Sequence, residues 1–410
     1  MLHSLAIPSA CSAPAAETIG QFVDVMNGLL GGGIRGGNPK PKEAEKVSSE
    51  MVHVGMDVHQ GKLVWCAVNT DGEVVGRGAV EMRRRAIAQL ARRWIERYGA
   101  VQSWYEAGPW GYWLHRLLEA EGISSAVIAP ALTPRRPGDR VKTDRRDALE
   151  LAVMGMRGML TEVYVPDRRH EAVRELMRLR WSWRAEVRRL KTRITHFLNR
   201  QGVRYEGGKR WTKRHRQWLK RLRLGWIEQI VLEEMLEELE RAEEALRRVE
   251  ARLIGVVKKL RWWKLVELLQ AIRGVGLWTA LTVAIEAGDL RRFVSGEAFA
   301  SWAGLVPGER SSGGKQRRGR ITRRGNSLVR WALVDAGWVI SRRLREAGAK
   351  ARRRGAGEEI VRIAEAADER LHVKYWRLVV GRKKAPAVAV VATARELAEV
   401  IWRIGRLVEL

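Results

Sequence analysis

Cysteine is nearly absent from this 410-residue chain, with only Cys11 and Cys66 present. Two cysteines exclude a disulfide scaffold and a cysteine-rich zinc site. Long apolar runs are missing too. The best candidate, residues 385–394, contains Pro386 and stops at Arg395. It falls well short of the roughly 18–20 residues that a membrane span needs. The N-terminus lacks the basic-then-apolar pattern of a secretory signal. Together these absences predict a soluble protein of the cytoplasm with no membrane partner. Acids are scarce beside bases, 47 against 76, which leaves a formal net charge of +29. That balance suits a polyanion, and nucleic acid is the default partner. A basic membrane-surface protein is disfavoured, because Trp and Arg are spread along the chain instead of forming one amphipathic anchor.

What is present divides the chain. Residues 1–50, with Gly31-Gly32-Gly33 and Pro39-Lys40-Pro41-Lys42, read as a disordered extension with one short helical stretch at 21–30. From Met51 the pattern becomes α/β. Apolar strands are expected at 52–56, 62–68 and 74–80, with Asp71-Gly72 as a hairpin turn between the last two. Helical spacing over 84–98, a strand at 102–105, a helix at 110–121 and a strand at 124–129 follow. A further helix starts near Asp144. This is the order of a ribonuclease-H-like domain spanning 51–160. The remainder is all-α. In 161–263, Val173, Leu176, Arg180, Trp183, Val187, Leu190, Ile194 and Phe197 step by three and four. Leu239, Ala242, Leu246, Val249, Leu253, Val256 and Leu260 repeat the pattern, as in a coiled-coil seam. The two segments are expected to serve oligomerisation, with an intrachain hairpin as the alternative. A mainly helical unit at 264–345 and a helical tail at 346–410 complete the chain.

Four acids stand out in so basic a sequence. Asp57 and Glu106 end two predicted strands, and Asp144 and Asp147 share one side of a predicted helix at i and i+3. Carboxylates converging from separate elements suit Mg²⁺, which prefers hard oxygen ligands and phosphate oxygens. Two such ions lie about 3.5–4 Å apart in phosphoryl-transfer sites. Taken singly, Asp144 could be a helix cap and Asp147 a partner for Arg145 or Arg146. As a set, the four predict a divalent-metal site acting on a phosphate backbone.

A second constellation is basic. Between Arg310 and Arg330 there are eight Lys or Arg and no acid. Gly313, Gly314, Gly319 and Gly325 let backbone amides approach an anion. Arg310, Lys315, Arg317, Arg318, Arg320, Arg323, Arg324 and Asn326 are the expected nucleic-acid contacts. Read alone, the serines here are a nucleophile or bystanders in a phosphate-binding loop. Ile272-Arg273-Gly274-Val275-Gly276 resembles a helix-hairpin-helix turn, or is a plain connector.

Two stretches together resemble the transposases of the insertion-sequence one-hundred-ten family, the bridge-RNA-guided recombinases. The first is the Asp57/Glu106/Asp144-x-x-Asp147 tetrad with Arg135-Arg136-Pro137-Gly138-Asp139-Arg140-Val141-Lys142-Thr143-Asp144. The second is Gly304-Leu305-x-Pro307…Ser312-Gly313…Gly325-Asn326. The resemblance covers about 51–340. It implies a RuvC-like domain whose four acids bind Mg²⁺ and a transposase domain with Ser312 as nucleophile, forming a phosphoserine link to DNA. It also implies target and donor double-stranded DNA, a structured guide (bridge) RNA, and assembly from dimer to tetramer. Trp181, Trp183, Trp211 and Trp218 are expected to stack on the RNA. Two alternatives stand beside this reading: a Holliday-junction-resolvase-like endonuclease without covalent intermediate, and a non-catalytic nucleic-acid-binding protein.

Overall fold

The computed structural model describes residues 51–134, 143–309, 318–342 and 353–409. The chain falls into two compact units, one ending at Val165 and one beginning at Pro166. The expected extension 1–50, with its helix at 21–30, lies outside the described residues.

The first unit is built on a five-stranded sheet of β1 (Val52–Val58), β2 (Lys62–Val68), β3 (Val74–Glu81), β4 (Val101–Glu106) and β5 (Ser124–Ile128), in the order β3-β2-β1-β4-β5. β1, β2 and β3 pair antiparallel; β4 runs parallel to β1, and β5 parallel to β4. The parallel steps need crossovers. α1 (Arg84–Tyr98) precedes β4, and α2 (Trp113–Ala120) lies between β4 and β5. The first five residues of β1 are all buried, as befits a central strand covered on both faces. β3 alternates partly buried and exposed residues, as an edge strand does. The turn before β3 forms as expected. Asn69 Oδ1 accepts from the amides of Asp71 (3.1 Å) and Glu73 (2.8 Å), while Gly72 takes the left-handed φ of +84°.

One sheet face, with Val54, Met56 and Leu63, packs on Ile87, Ala91, Trp94, Leu114 and Leu118 of α1 and α2. The other, with Val64, Cys66 and Val68, receives Ala148, Leu149 and Ala152 of α3 (Asp144–Met156). Burial pushes the Cys66 thiol up to about 11, so it stays protonated at neutral pH. α3 lies very close to the sheet because β1 carries Gly55 beneath it. A Cβ on Gly55 would stand 2.1 Å from the Ala148 carbonyl oxygen and 2.4 Å from the Ala152 nitrogen. Near the other end of α3, Gly155 rests on the Trp104 ring, 2.5 Å from where its Cβ would be.

Burial lowers the pKa of His53, His170 and His215. A lowered value means the unfolded chain takes up protons first, so stability is lost as pH falls below about 6.5. His53 stacks on Trp104 with ring centroids 5.3 Å apart, and its Nδ1 is buried without a hydrogen-bond partner. His53→Phe keeps the stack and removes one titrating group. Thermal melts from pH 7.5 to 5.5 should therefore show a shallower fall for the variant than for the parent. Equal slopes would remove His53 from the explanation.

The second unit is helical: α4 (Arg168–Arg200), α5 (Lys213–Arg221), α6 (Trp226–Val257), α7 (Trp262–Leu269), α8 (Leu277–Ala287) and α9 (Gly296–Trp302). A short hairpin of β6 (Pro307–Glu309) and β7 (Arg318–Ile321) follows, then α10 (Ser327–Ile340), α11 (Glu358–Trp376) and α12 (Pro386–Arg406). α4 and α6 pair antiparallel within the chain, with Arg193–Glu238, Lys191–Glu243 and Arg180–Glu250 contacts at 3.1, 2.7 and 2.9 Å. Val187, Leu190, Ile194 and Phe197 are buried with Leu232, Leu239 and Ala242. The seam expected to serve oligomerisation is thus covered by an intrachain hairpin. Its far end also departs from a strict heptad: Val256 is 41% exposed while Val257 is buried. A straight helix of 3.6 residues per turn drifts off a 3.5-residue repeat in this way. Arg180, the polar member of the seam, is buried with Glu250 beneath it and the Trp278 ring 3.9 Å away.

The structure bears on three further expectations. The 346–410 segment is not a tail in its described part, because Leu397, Ile401 and Ile404 of α12 share one core with Leu265, Leu281, Phe299 and Leu333. Trp183, Trp211 and Trp218 pack in part against the hairpin core, and Trp181 in part against the larger one. The Gly274 turn is buried: Ile272 and Val275 are fully covered, and a Cβ on Gly274 would meet the Ala336 carbonyl oxygen at 2.7 Å. The Arg273 amide donates to Asp368 Oδ1 at 3.2 Å, so the turn acts as a connector. No described helix is long and apolar enough to cross a membrane.

Candidate active site

Strand alternation decides where Asp57 goes. It lies two residues beyond Gly55, hence on the face that α3 covers. Ala148 sits over Gly55, and Asp144 is one helical turn before Ala148, so the first turn of α3 overhangs the end of β1. Thr143, and not Asp144, caps α3: its side chain accepts from the Arg146 amide at 3.4 Å. Asp144 and Asp147 then occupy the first turn, where the helix dipole favours negative charge. Glu106 arrives by register. Met56 pairs with Tyr105 in the parallel ladder, so Asp57 and Glu106 are the next residues on adjacent strands. Trp104, two residues before Glu106, touches α3 at Gly155, which puts Glu106 on the same face as Asp57.

The closest group is Asp57, His59 and Asp144, whose donor atoms all lie within 4.8 Å of one another. His59 Nε2 is 2.9 Å from Asp57 Oδ2 and 3.5 Å from Asp144 Oδ1. Lys62 Nζ stands 2.6 Å from Asp144 Oδ2. The hydrogen bond from the Lys62 ammonium holds the Asp144 carboxyl below the usual carboxylate range, so it is ionised at neutral pH. Glu106 and Asp147, both partly buried, fall outside this tight trio. The donors suit a hard divalent cation, since two carboxylates from different elements come within the span of ligands around one ion.

His59 and Lys62 are absent from the expectations drawn from the sequence. The signal for His59 was the i, i+2 spacing from Asp57, which places both side chains on one face of a strand end. Lys62 follows a tight turn, closed by the His59 amide donating to the Lys62 carbonyl at 2.9 Å. Nearby, Trp110 Nε1 donates to the Val58 carbonyl at 3.2 Å and ties the loop after Glu106 to the end of β1.

In the second unit, Arg310, Ser312, Lys315 and Arg317 lie outside the described residues, and Arg318 is described only as backbone of β7. Two glycines shape the base of this hairpin. Gly304 and Gly325 have φ of +70° and +112°, and a Cβ on Gly325 would fall 2.0 Å from the Trp302 carbonyl oxygen. The Asn326 amide donates to that carbonyl at 2.9 Å, and Arg323 N to Gly304 O at 3.2 Å. These two glycines therefore allow chain to meet chain. Asn326 also has a different task from the expected one. Its Oδ1 caps α10 by accepting from Val329 N (3.0 Å), and its Nδ2 donates to buried Glu286 (2.8 Å). Arg320, Arg323 and Arg324 are exposed.

Comparisons with known proteins match two stretches of the chain. Residues 54–201 match a DEDD transposase family model, and 266–352 match one described as "Transposase IS116/IS110/IS902 family". "Putative transposase y4qE" of Sinorhizobium fredii is 38% identical over 360 residues, covering 86% of this chain and 88% of the relative. The "Transposase for insertion sequence element IS1533" of Leptospira borgpetersenii is 28% identical over 81% of this chain and 98% of its own length. The "Transposase for insertion sequence element IS1111A" of Coxiella burnetii is 25% identical over 74% and 82%. Acids gathered at the carboxyl ends of a mixed sheet, a basic chain and these relatives lead to one conclusion: this chain belongs to the IS116/IS110/IS902 family of insertion-sequence transposases, enzymes of DNA strand transfer.

Proposed function

We propose that the chain is an RNA-guided, Mg²⁺-dependent recombinase that cleaves and rejoins DNA through a phosphoserine at Ser312. The observation that carries the metal half is the convergence of Asp57 and Asp144 from β1 and α3. Asp57, Glu106, Asp144 and Asp147 would hold the ions, and His59 orients Asp57 from 2.9 Å. Bound Mg²⁺ supplies Lewis-acid stabilisation of charge on the scissile phosphate. Lys62, 2.6 Å from Asp144, offsets part of the negative charge of this site. Ser312 Oγ forms a bond to phosphorus as the bond from phosphorus to one strand oxygen breaks; the serine proton passes to water, and the leaving oxygen takes a proton from water. A DNA hydroxyl reverses the exchange and rejoins the strand, so the phosphodiester energy is conserved without ATP. Arg310, Lys315, Arg317, Arg318, Arg320, Arg323 and Arg324 hold the phosphates around the serine.

The wider reading is that target and donor duplexes are selected by pairing with a structured guide RNA in the prokaryotic cytoplasm. A dimer or tetramer would join the acidic domain of one subunit to the serine domain of another. RNA that copurifies with the protein should be one structured species encoded beside the element. A covalent complex is the decisive test for the serine. On a nicked suicide substrate with Mg²⁺, the parent should yield a protein–DNA adduct that survives denaturation, with phosphate on the peptide containing Ser312. Ser312→Ala should yield none. Cleavage with no adduct in the parent would turn the assignment to a hydrolytic, resolvase-like nuclease.

A further inference from the structure

A cleft of about 650 Å³ opens between α4, the Gly325-Asn326 segment and α10. That volume lies within the roughly 300–1,000 Å³ of ligand pockets. Glu286 is the one acid in its lining, and its side chain is wholly buried. It accepts from Arg174 Nη2 (3.2 Å), Arg178 Nε (3.2 Å) and Asn326 Nδ2 (2.8 Å), so its charge is more than compensated. The walls carry Arg178, Arg188, Ser182 and Ser327 together with Trp181 and Trp331. Trp331 is 50% exposed, an unusual state for so large an apolar ring in a well-packed helix. The Arg188 guanidinium lies 5.7 Å from its centroid, is exposed, and has no carboxylate partner among the described residues.

A half-exposed indole beside an uncompensated guanidinium, with hydroxyls at hand, complements a flat ring joined to a phosphate. The geometry points to this cleft as a pocket for one unpaired nucleotide of a DNA strand, its base against Trp331 and its phosphate on Arg188. Every base offers a π-face, so such a pocket holds single strands without reading sequence. A duplex cannot use it, because its bases are already stacked on both sides. DNA is favoured over RNA by position. Gly325 and Asn326 on the rim follow β7 closely in the chain, and Ser312 lies between β6 and β7 in the sequence, so the inference rests on the proposed function, in which the strand at that serine is DNA.

The test reads binding alone and uses the full-length chain with Ser312→Ala, so it contains no cleavage step and stays separate from the covalent-complex experiment. A short single strand carrying 5-iododeoxyuridine is bound and irradiated, and the crosslinked peptides are mapped. Affinities are measured for the same strand, its abasic analogue, the duplex and the equivalent RNA. The expected result is an adduct at Trp331 and a roughly tenfold weaker single-strand affinity in Trp331→Ala, within the range of base–aromatic stacking. The abasic strand should show the same loss on the parent and no further loss on the variant, while duplex affinity stays unchanged. Trp331→Phe should retain most of the affinity. Adducts mapping only outside α10, or equal affinities for parent and Trp331→Ala, overturn the pocket. A larger Trp331→Ala effect on RNA than on DNA overturns the assignment to DNA.

Discussion

Asp144→Asn should lower Mg²⁺-dependent strand transfer by on the order of 10³-fold, the scale seen when one preorganised electrostatic group is removed from a reacting phosphate or carbonyl site. The substitution keeps the shape of the first turn of α3, and Thr143 remains its cap, so the fold should persist. What changes is charge. The Asp144 carboxylate is held ionised by Lys62 at 2.6 Å and shares the site with Asp57 and His59. An amide in its place weakens cation binding and leaves Lys62 without a counter-ion. DNA affinity, measured by anisotropy, should be unchanged, because the phosphate-binding arginines lie elsewhere in the chain. Asp144→Cys should be partly rescued by Mn²⁺ but not by Mg²⁺, since thiolate is a softer ligand. Unaltered transfer by Asp144→Asn would separate the acidic site from the chemistry altogether.

Gly55→Val should strongly destabilise the first unit. A Cβ there would lie 2.1 Å from the Ala148 oxygen and 2.4 Å from the Ala152 nitrogen, and both are helix backbone atoms that cannot swing aside. Overpacking against side chains costs about 1–3 kcal/mol, and here the neighbour is a whole helix, so the upper end or beyond is expected. Relief requires α3 to lift from β1, which also carries Asp144 away from Asp57. Chemical denaturation should show the loss of stability, and strand transfer should fall with it. Gly255→Ala is the control: nothing lies within 4 Å of its Cβ, and a helical glycine replaced by alanine gains about 0.5–1 kcal/mol. A Gly55→Val protein as stable as the parent would mean that α3 does not lie on β1.

The strands and helices of the first unit were legible because each carries a local signal. β1 is a short continuous apolar run, and Asp71-Gly72 sits in a turn that demands a left-handed residue. The prominence of Asp57 was legible for a related reason: an acid that ends an apolar strand in a basic chain has few structural uses. The roles of Asn326 and of the four tryptophans were not legible. A side chain amide reads the same whether it meets a phosphate or caps a helix, and Trp183 reads the same whether it faces RNA or the neighbouring helix. The α4 and α6 seam illustrates the limit further. A three-four repeat specifies an apolar stripe and says nothing about whose stripe will cover it.

The sequence by itself determined the elements of the acidic domain and the strongly basic charge, because propensity, periodicity and composition act locally. Only the tertiary structure decided that α3 would rest on Gly55, that His59 and Lys62 would join Asp57 and Asp144, and that Glu286 would anchor a cleft beside Trp331. Those outcomes depend on contacts between residues as much as 112 positions apart, such as Arg174 and Glu286. Side chains that far apart meet only after the chain has packed, and no local pattern encodes which of them will do so.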